Sequence, residues 1–201
     1  MHADVAIVCW VPTWNTNFPS VGLEVVELTP GSADSSLLAI DASGWPFRLA
    51  YRLTWHPGTF RLATADLTVS TNGRRRTLGL RVDADGGWHD DNGARRPELD
   101  GCVDVDIWPT PFTNSLPLWR RGLRIGQREV FRTAWISAPD LTVEATGQAY
   151  TRLSEHRYLF ESLDGTGFSA ELRVDDAGLV VDYPKLFTRV ALGDAVRQQP
   201  V

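Results

Sequence analysis

Between Leu99 and Pro117 the sequence reads LDGCVDVDIWPTPFTNSLP. This stretch gathers residue types that do chemistry: carboxyls at Asp100, Asp104 and Asp106, a thiol at Cys102, and an indole at Trp108. Thr113 and Asn114 add a hydroxyl and an amide. In a strand, side chains alternate faces, so Val103, Val105 and Ile107 share one face and Cys102, Asp104 and Asp106 the other. Carboxyls at i and i+2 on one face lie about 7 Å apart.

That spacing has four uses. Carboxyls roughly 6.5–9.5 Å apart suit the acid and base of inverting glycoside hydrolysis. They can also ligate a hard cation. They can accept hydrogen bonds from sugar hydroxyls, with Trp88, Trp108, Phe112 or Trp119 stacking on the sugar's apolar face. Finally, they can pair with arginines and only hold the fold together. The metal reading has little histidine support, because His2, His56, His89 and His156 are scattered without ligand-type spacing. No metal site and no cofactor are expected.

Other catalytic signatures are missing. There is no G-x-S-x-G elbow and no phosphate loop. The stretch DGTGFSAE lacks the third glycine of a dinucleotide motif and reads as a hairpin turn. Aspartates beside Cys102 raise the thiol pKa, which opposes a reactive thiolate.

The elements that carry these residues are strands. FRLAYRLTWH alternates cleanly: Phe47, Leu49, Tyr51, Leu53 and Trp55 share one face, Arg48, Ala50, Arg52, Thr54 and His56 the other. In DLTVEATGQAY, Leu141, Val143 and Ala145 share a parity, and in FSAELRV so do Phe168, Ala170, Leu172 and Val174. Turn signals separate such runs, with STNGRRRTLGL and RVDDAGLVVDY reading as hairpin corners. The pattern predicts about ten to thirteen strands, mostly antiparallel. Pro109, Pro111 and Pro117 forbid an interior strand after Trp108. FTNSLPLWRRGL is the best helix candidate, limited by Pro117 to a turn or two.

Composition sets the class. The chain has 201 residues, 43% hydrophobic and 22% charged, which is globular and enough for a substantial core. No linker or repeat divides it, so one domain over 1–201 is expected. The net charge of −5 argues against nucleic acid and anionic membranes as default partners. Nineteen of the 20 basic residues are arginine, and Lys185 is the only lysine. The bland source is genomic codon bias, the functional one bidentate contacts to carboxylates or phosphates. No apolar run reaches the roughly 20 residues of a membrane span, and the start MHADVAIVCWVP lacks a basic n-region. A soluble, cytoplasmic protein with free thiols at Cys9 and Cys102 is expected.

The segment LDGCVDVDIWPTPFTNSLPL resembles the signature of the bacterial "putative glycolipid-binding" family, formerly a domain of unknown function. FRLAYRLTW, GQAYTRLSEHRYLFES and AELRVDDAGLVVDYPKLFTRV agree with it, and the resemblance runs from about Leu23 to Val190. The matching positions are Asp100, Gly101, Cys102, Asp104, Asp106, Thr110, Phe112, Thr113 and Asn114, then Tyr183, Pro184 and Arg189. No catalytic roles come with them. The resemblance implies an all-β spiral β-roll, a long antiparallel sheet curled on itself with little helix. It also implies a likeness to bacterial envelope carriers that hold acyl chains inside a curved sheet. The residues 11–22 depart from the family pattern, which leaves the register of the first strand open.

These readings converge on a non-enzymatic binder of a small amphipathic ligand, a glycolipid or lipid, held in a curved-sheet cavity. The residues expected to line or contact it are Arg48, Arg52, Trp88, Asp104, Asp106, Thr113, Asn114 and Tyr183. The alternative is a hydrolase of a sugar-containing or acyl substrate with Asp104 and Asp106 as acid and base. A third reading makes the aspartates arginine partners that fix the roll.

Overall fold

A computed structural model describes residues 5–14 and 21–192. His2 and residues 15–20 of the departing segment lie outside the described residues. One unclosed, curled sheet of 14 strands makes up the fold. The N-terminal half is a meander: β1 (Ala6–Pro12), β2 (Gly22–Thr29), β3 (Ser32–Ile40), β4 (Pro46–His56), β5 (Arg61–Thr71), β6 (Arg74–Val82) and β7 (Trp88–Asp90). The C-terminal half holds β8 (Cys102–Trp108), β9 (Arg128–Ser137), β10 (Thr142–Ser154), β11 (Arg157–Ser162), β12 (Ser169–Val174), β13 (Val180–Tyr183) and β14 (Phe187–Arg189). β1 pairs with β14 and joins the halves, leaving β7 and β8 at the two edges. Every neighbouring pair is antiparallel except β8 with β9.

Local sequence explains the corners. The β5–β6 hairpin turns on Asn72-Gly73, whose φ angles of 47° and 69° are the two left-handed positions a tight primed turn needs. The alternation in β4 is realised residue for residue, with Phe47, Leu49, Tyr51, Leu53 and Trp55 all buried. One core cluster spans both halves.

The curl makes β8 unusual for an edge strand. Val105 and Ile107 face the core, and β8 packs against β5 across the interior. Trp88 of β7 reaches the opposite edge, its indole Nε1 donating to the Cys102 carbonyl at 3.1 Å.

A bulge overturns part of the alternation expected for β8. Cys102 is opposite Arg132 and Asp104 opposite Thr133, so Val103 is the extra residue. Cys102 therefore joins the core with Val105 and Ile107, while Val103 is exposed. The thiol does not share a face with Asp104 and Asp106.

After β8 the chain turns into a 3-10 turn (Phe112–Asn114) and α1 (Ser115–Arg121), which ends on Gly122 with φ 51°. Pro117 sits in the first turn of α1, where no intrahelical donor is lost. Phe112, Leu116 and Leu118 are buried, so this segment plugs the roll. Phe112 lies between Tyr51, Trp55 and Trp119, with ring centroids 5.9–6.5 Å apart. Trp119 is fixed by its own bond, Nε1 donating to the Ala177 carbonyl at 2.6 Å.

Candidate functional site

The acid face of β8 splits into two environments. Asp104 is 1% exposed and its carboxylate is gripped by Arg120 of α1 through Nη2 and Nε. Burial raises the Asp104 pKa, and the Arg120 bonds and charge oppose that rise. This pair is the arginine clamp of the third sequence reading, with a helix supplying the cation.

Asp106, two residues on, meets no cation among the described residues. Thr113 Oγ1 donates to its Oδ1 at 3.0 Å and Gln148 Nε2 to its Oδ2 at 2.6 Å. Burial raises its pKa against those two bonds. Thr113 Oγ1 also accepts the Ile107 backbone N–H at 3.2 Å, which ties the plug to the strand it follows. Asn114 is held on both sides: Nδ2 donates to the Pro111 carbonyl and Oδ1 accepts the Tyr150 hydroxyl at 2.7 Å.

Asp106, Asn114 and Gln148 are polar members of the lining of a cavity of about 340 Å³ in the C-terminal half. The lining is also aromatic. Trp108 meets Phe187, Phe187 meets Tyr183, and Tyr183 meets Phe160 and Phe168, with centroids 6.2–6.4 Å apart. Glu144 and Asp164 stand at the exposed rim. The Tyr183 hydroxyl is held protonated, chiefly by burial and then by the Asp106 charge.

A second buried acid lies behind the cavity. Glu24 of β2 is fully buried, yet no basic group contacts it among the described residues. It accepts from Ser35 Oγ at 2.9 Å and Tyr51 OH at 2.8 Å, and Thr110 Oγ1 lies 2.7 and 2.8 Å from its two oxygens. Burial pushes its pKa up to about 7, and the three hydroxyl bonds recover only part of that rise. Thr110 also lines the cavity, so a single side chain separates Glu24 from it.

The structure brings together Asp106, Asn114 and Tyr183 at the cavity, with Thr113 directly behind Asp106. It separates the others. Asp104 turns to Arg120. Arg48 and Arg52 take the outer face of β4, because the parity that buries Tyr51 must turn its neighbours outward. Arg52 there pairs with exposed Asp34 at 3.0 Å. Neither arginine reaches the aspartates. Trp88 is a fully buried core residue at the sheet edge. Cys9 and Cys102 are both buried and free, and burial, opposed by Arg132 and aided by Asp100, pushes Cys102 up to about 11.

Sequence reasoning missed Gln148, Glu144 and Glu24. In β10 it followed Leu141, Val143 and Ala145, whereas the polar parity of Glu144, Thr146 and Gln148 faces the cavity. Glu24 carried a signal: it shares its parity with Val26 and Leu28, which are buried.

The sequence model of the family described as "Putative glycolipid-binding" matches residues 8–189. This chain belongs to that family. The match includes β1 from Val8 onward, whose register the sequence left open, and that strand pairs Val8 with Val26 and Trp10 with Arg189. A crystal structure of a DUF1089 family protein from Pseudomonas aeruginosa is similar in fold, with a TM-score of 0.82 and 44% identity. The alignment covers 89% of this chain and 98% of that one. Among curated proteins, none matches the chain. No helix among the described residues is long and apolar enough to cross a membrane.

Proposed function

We propose that this protein binds one small amphipathic molecule in the cavity of the C-terminal half, as a binding protein rather than an enzyme. The observation that carries this reading is the cavity's mixed lining. Aromatic rings in mutual contact line it together with the polar groups of Asp106, Asn114 and Gln148. A cleft that is mainly apolar with a few fixed polar groups is the usual form of a small-molecule site. The family's description, glycolipid-binding, agrees with that chemistry.

The polar groups are pre-set. Asp106 and Asn114 are each held by two hydrogen bonds from or to the protein, so a ligand would meet oriented acceptors and donors. Preorganised partners lower the ordering cost of binding. The volume is near the lower end of the ~300–1,000 Å³ range of ligand pockets, which suits a head group and the first part of a chain. The hydrolase alternative needs Asp104 and Asp106 to face one substrate. Asp104 is instead occupied by Arg120 and does not line the cavity.

Native mass spectrometry of freshly purified protein, with organic extraction of the same sample, tests the proposal. A bound species of amphiphile mass that extracts into organic solvent is the expected result. A protein that runs at its bare mass, and is not stabilised by any member of a lipid panel, refutes it.

A further inference from the structure

We propose that the cavity of the C-terminal half takes the cationic head of an alkylammonium amphiphile, seated on Trp135 between the carboxylates of Asp106 and Glu144. This rests on the binding reading above and adds a head-group class that the family's description does not name.

Strand register supplies the geometry. Asp106 of β8 is paired with Trp135 of β9, and Trp135 with Glu144 of β10. Residues paired across adjacent strands share a sheet face, and all three of these line the cavity. With neighbouring strands about 5 Å apart, the two acidic residues flank the indole and stand about 10 Å from each other at the backbone. Among the described residues no ring stacks on Trp135 and no guanidinium lies over it.

Charge is the second ground. Asp106, Glu144 and Asp164 line the cavity, and among the described residues no lysine, arginine or histidine does. Asp106 accepts from neutral groups, Thr113 Oγ1 and Gln148 Nε2. Glu144 has no hydrogen bond or ion pair among the described residues. The nearby arginines are committed elsewhere: Arg120 to Asp104, and Arg189 to Asp175 at 2.5 Å. A carboxylate shielded from water without a cation is costly, so a positive ligand is the partner this lining lacks. An anionic head would meet three carboxyl side chains and no compensating charge.

Hydrogen-bonding capacity is the third. The amides of the lining are already engaged within the protein. Asn114 donates to the Pro111 carbonyl and accepts the Tyr150 hydroxyl. Gln148 donates to Asp106 and accepts from Thr133 Oγ1 at 3.4 Å. A fully alkylated ammonium has no N–H and asks nothing of them. It uses negative charge and ring faces, and Trp108, Phe160 and Tyr183 add rings to the lining beside Trp135. The quadrupole of such a ring attracts a cation, most strongly at tryptophan. The volume of about 340 Å³ suits a small ammonium head with its first methylenes.

The test titrates three probes with the same tail, octyltrimethylammonium, octyl β-glucoside and octyl phosphate, into the full chain by calorimetry at pH 7.5, each below its micellar concentration. The ammonium probe is expected to bind at least about tenfold more tightly than the other two. Trp135→Leu should weaken it by about three- to tenfold. The net charge of −5 attracts any cation, so two variants that each remove one negative charge separate the cavity from the overall field. Glu144→Gln should weaken the ammonium probe by about threefold or more, whereas Asp34→Asn, on the outer face of β3, should change it by less than about 1.5-fold. Glu144 is exposed, so its variant keeps the test open if Trp135→Leu fails to fold. Glucoside or phosphate binding as tightly as the ammonium probe would overturn the cation assignment and leave the binding reading standing. An ammonium probe that does not bind, beside an amphiphile adduct in native mass spectrometry, would do the same. Equal effects of Glu144→Gln and Asp34→Asn would overturn the seat on Trp135. No binding by any probe, together with a bare mass in native spectrometry, would overturn both readings.

Discussion

Replacing Glu24 with glutamine removes one titrating proton from the middle of the roll and nearly preserves the side chain's shape. The folded carboxyl titrates near pH 7 because burial outweighs its three hydroxyl bonds, while the ordinary value is 4.5. Between those values the folded chain holds a proton that the unfolded chain has released. Stability from this group is therefore complete below about pH 4.5 and declines as pH rises to about 7. The interval corresponds to about 3 kcal/mol, at about 1.4 kcal/mol per pH unit. Glutamine is neutral throughout and escapes that loss. Urea unfolding of wild type and Glu24→Gln at pH 5, 6, 7 and 8 isolates the effect, since all other titrations occur in both proteins and cancel. The stability difference should move in favour of Glu24→Gln by about 2–3 kcal/mol from pH 5 to pH 8. A difference that stays flat to within about 0.5 kcal/mol would refute the burial argument for Glu24.

Three further outcomes follow from the packing. Asp104→Asn leaves Arg120 without its buried partner and should cost about 3–5 kcal/mol in chemical unfolding; a loss under about 1 kcal/mol would make the clamp incidental. Arg52→Ala cuts an exposed pair with Asp34 and should change stability by no more than about 1 kcal/mol in the same assay. Phe112→Ala empties the centre of the plug and should destabilise by about 3–5 kcal/mol, measured by urea midpoint at constant slope.

Much of this fold is written in local pattern. The β4 alternation, the Asn72-Gly73 corner and the prolines after Trp108 each have a local physical cause, and each stands where that cause puts it. The extra residue at Val103 does not announce itself, because CVDVDIW alternates without a break and only the pairing with β9 shows the bulge. The polar parity of β10 misled for a different reason. Polar residues at alternate positions usually meet solvent, but here the sheet curls over them and encloses a cavity. Arg120 was hidden by distance: it lies sixteen residues from Asp104, on a helix whose placement is tertiary. Glu24 was legible as an acid on a core parity, but its hydroxyl partners come from β3, β4 and the turn at Thr110.

The most direct measurement compares wild type with Thr146→Trp by native mass spectrometry. Thr146 lines the cavity from β10 and is part-buried, so an indole there would fill the space without removing a core contact. An amphiphile adduct on wild type that is absent from Thr146→Trp, with the variant's far-ultraviolet circular dichroism unchanged, is the predicted result. The same adduct on both proteins, or a bare mass for wild type, would contradict the assignment of this cavity as the binding site.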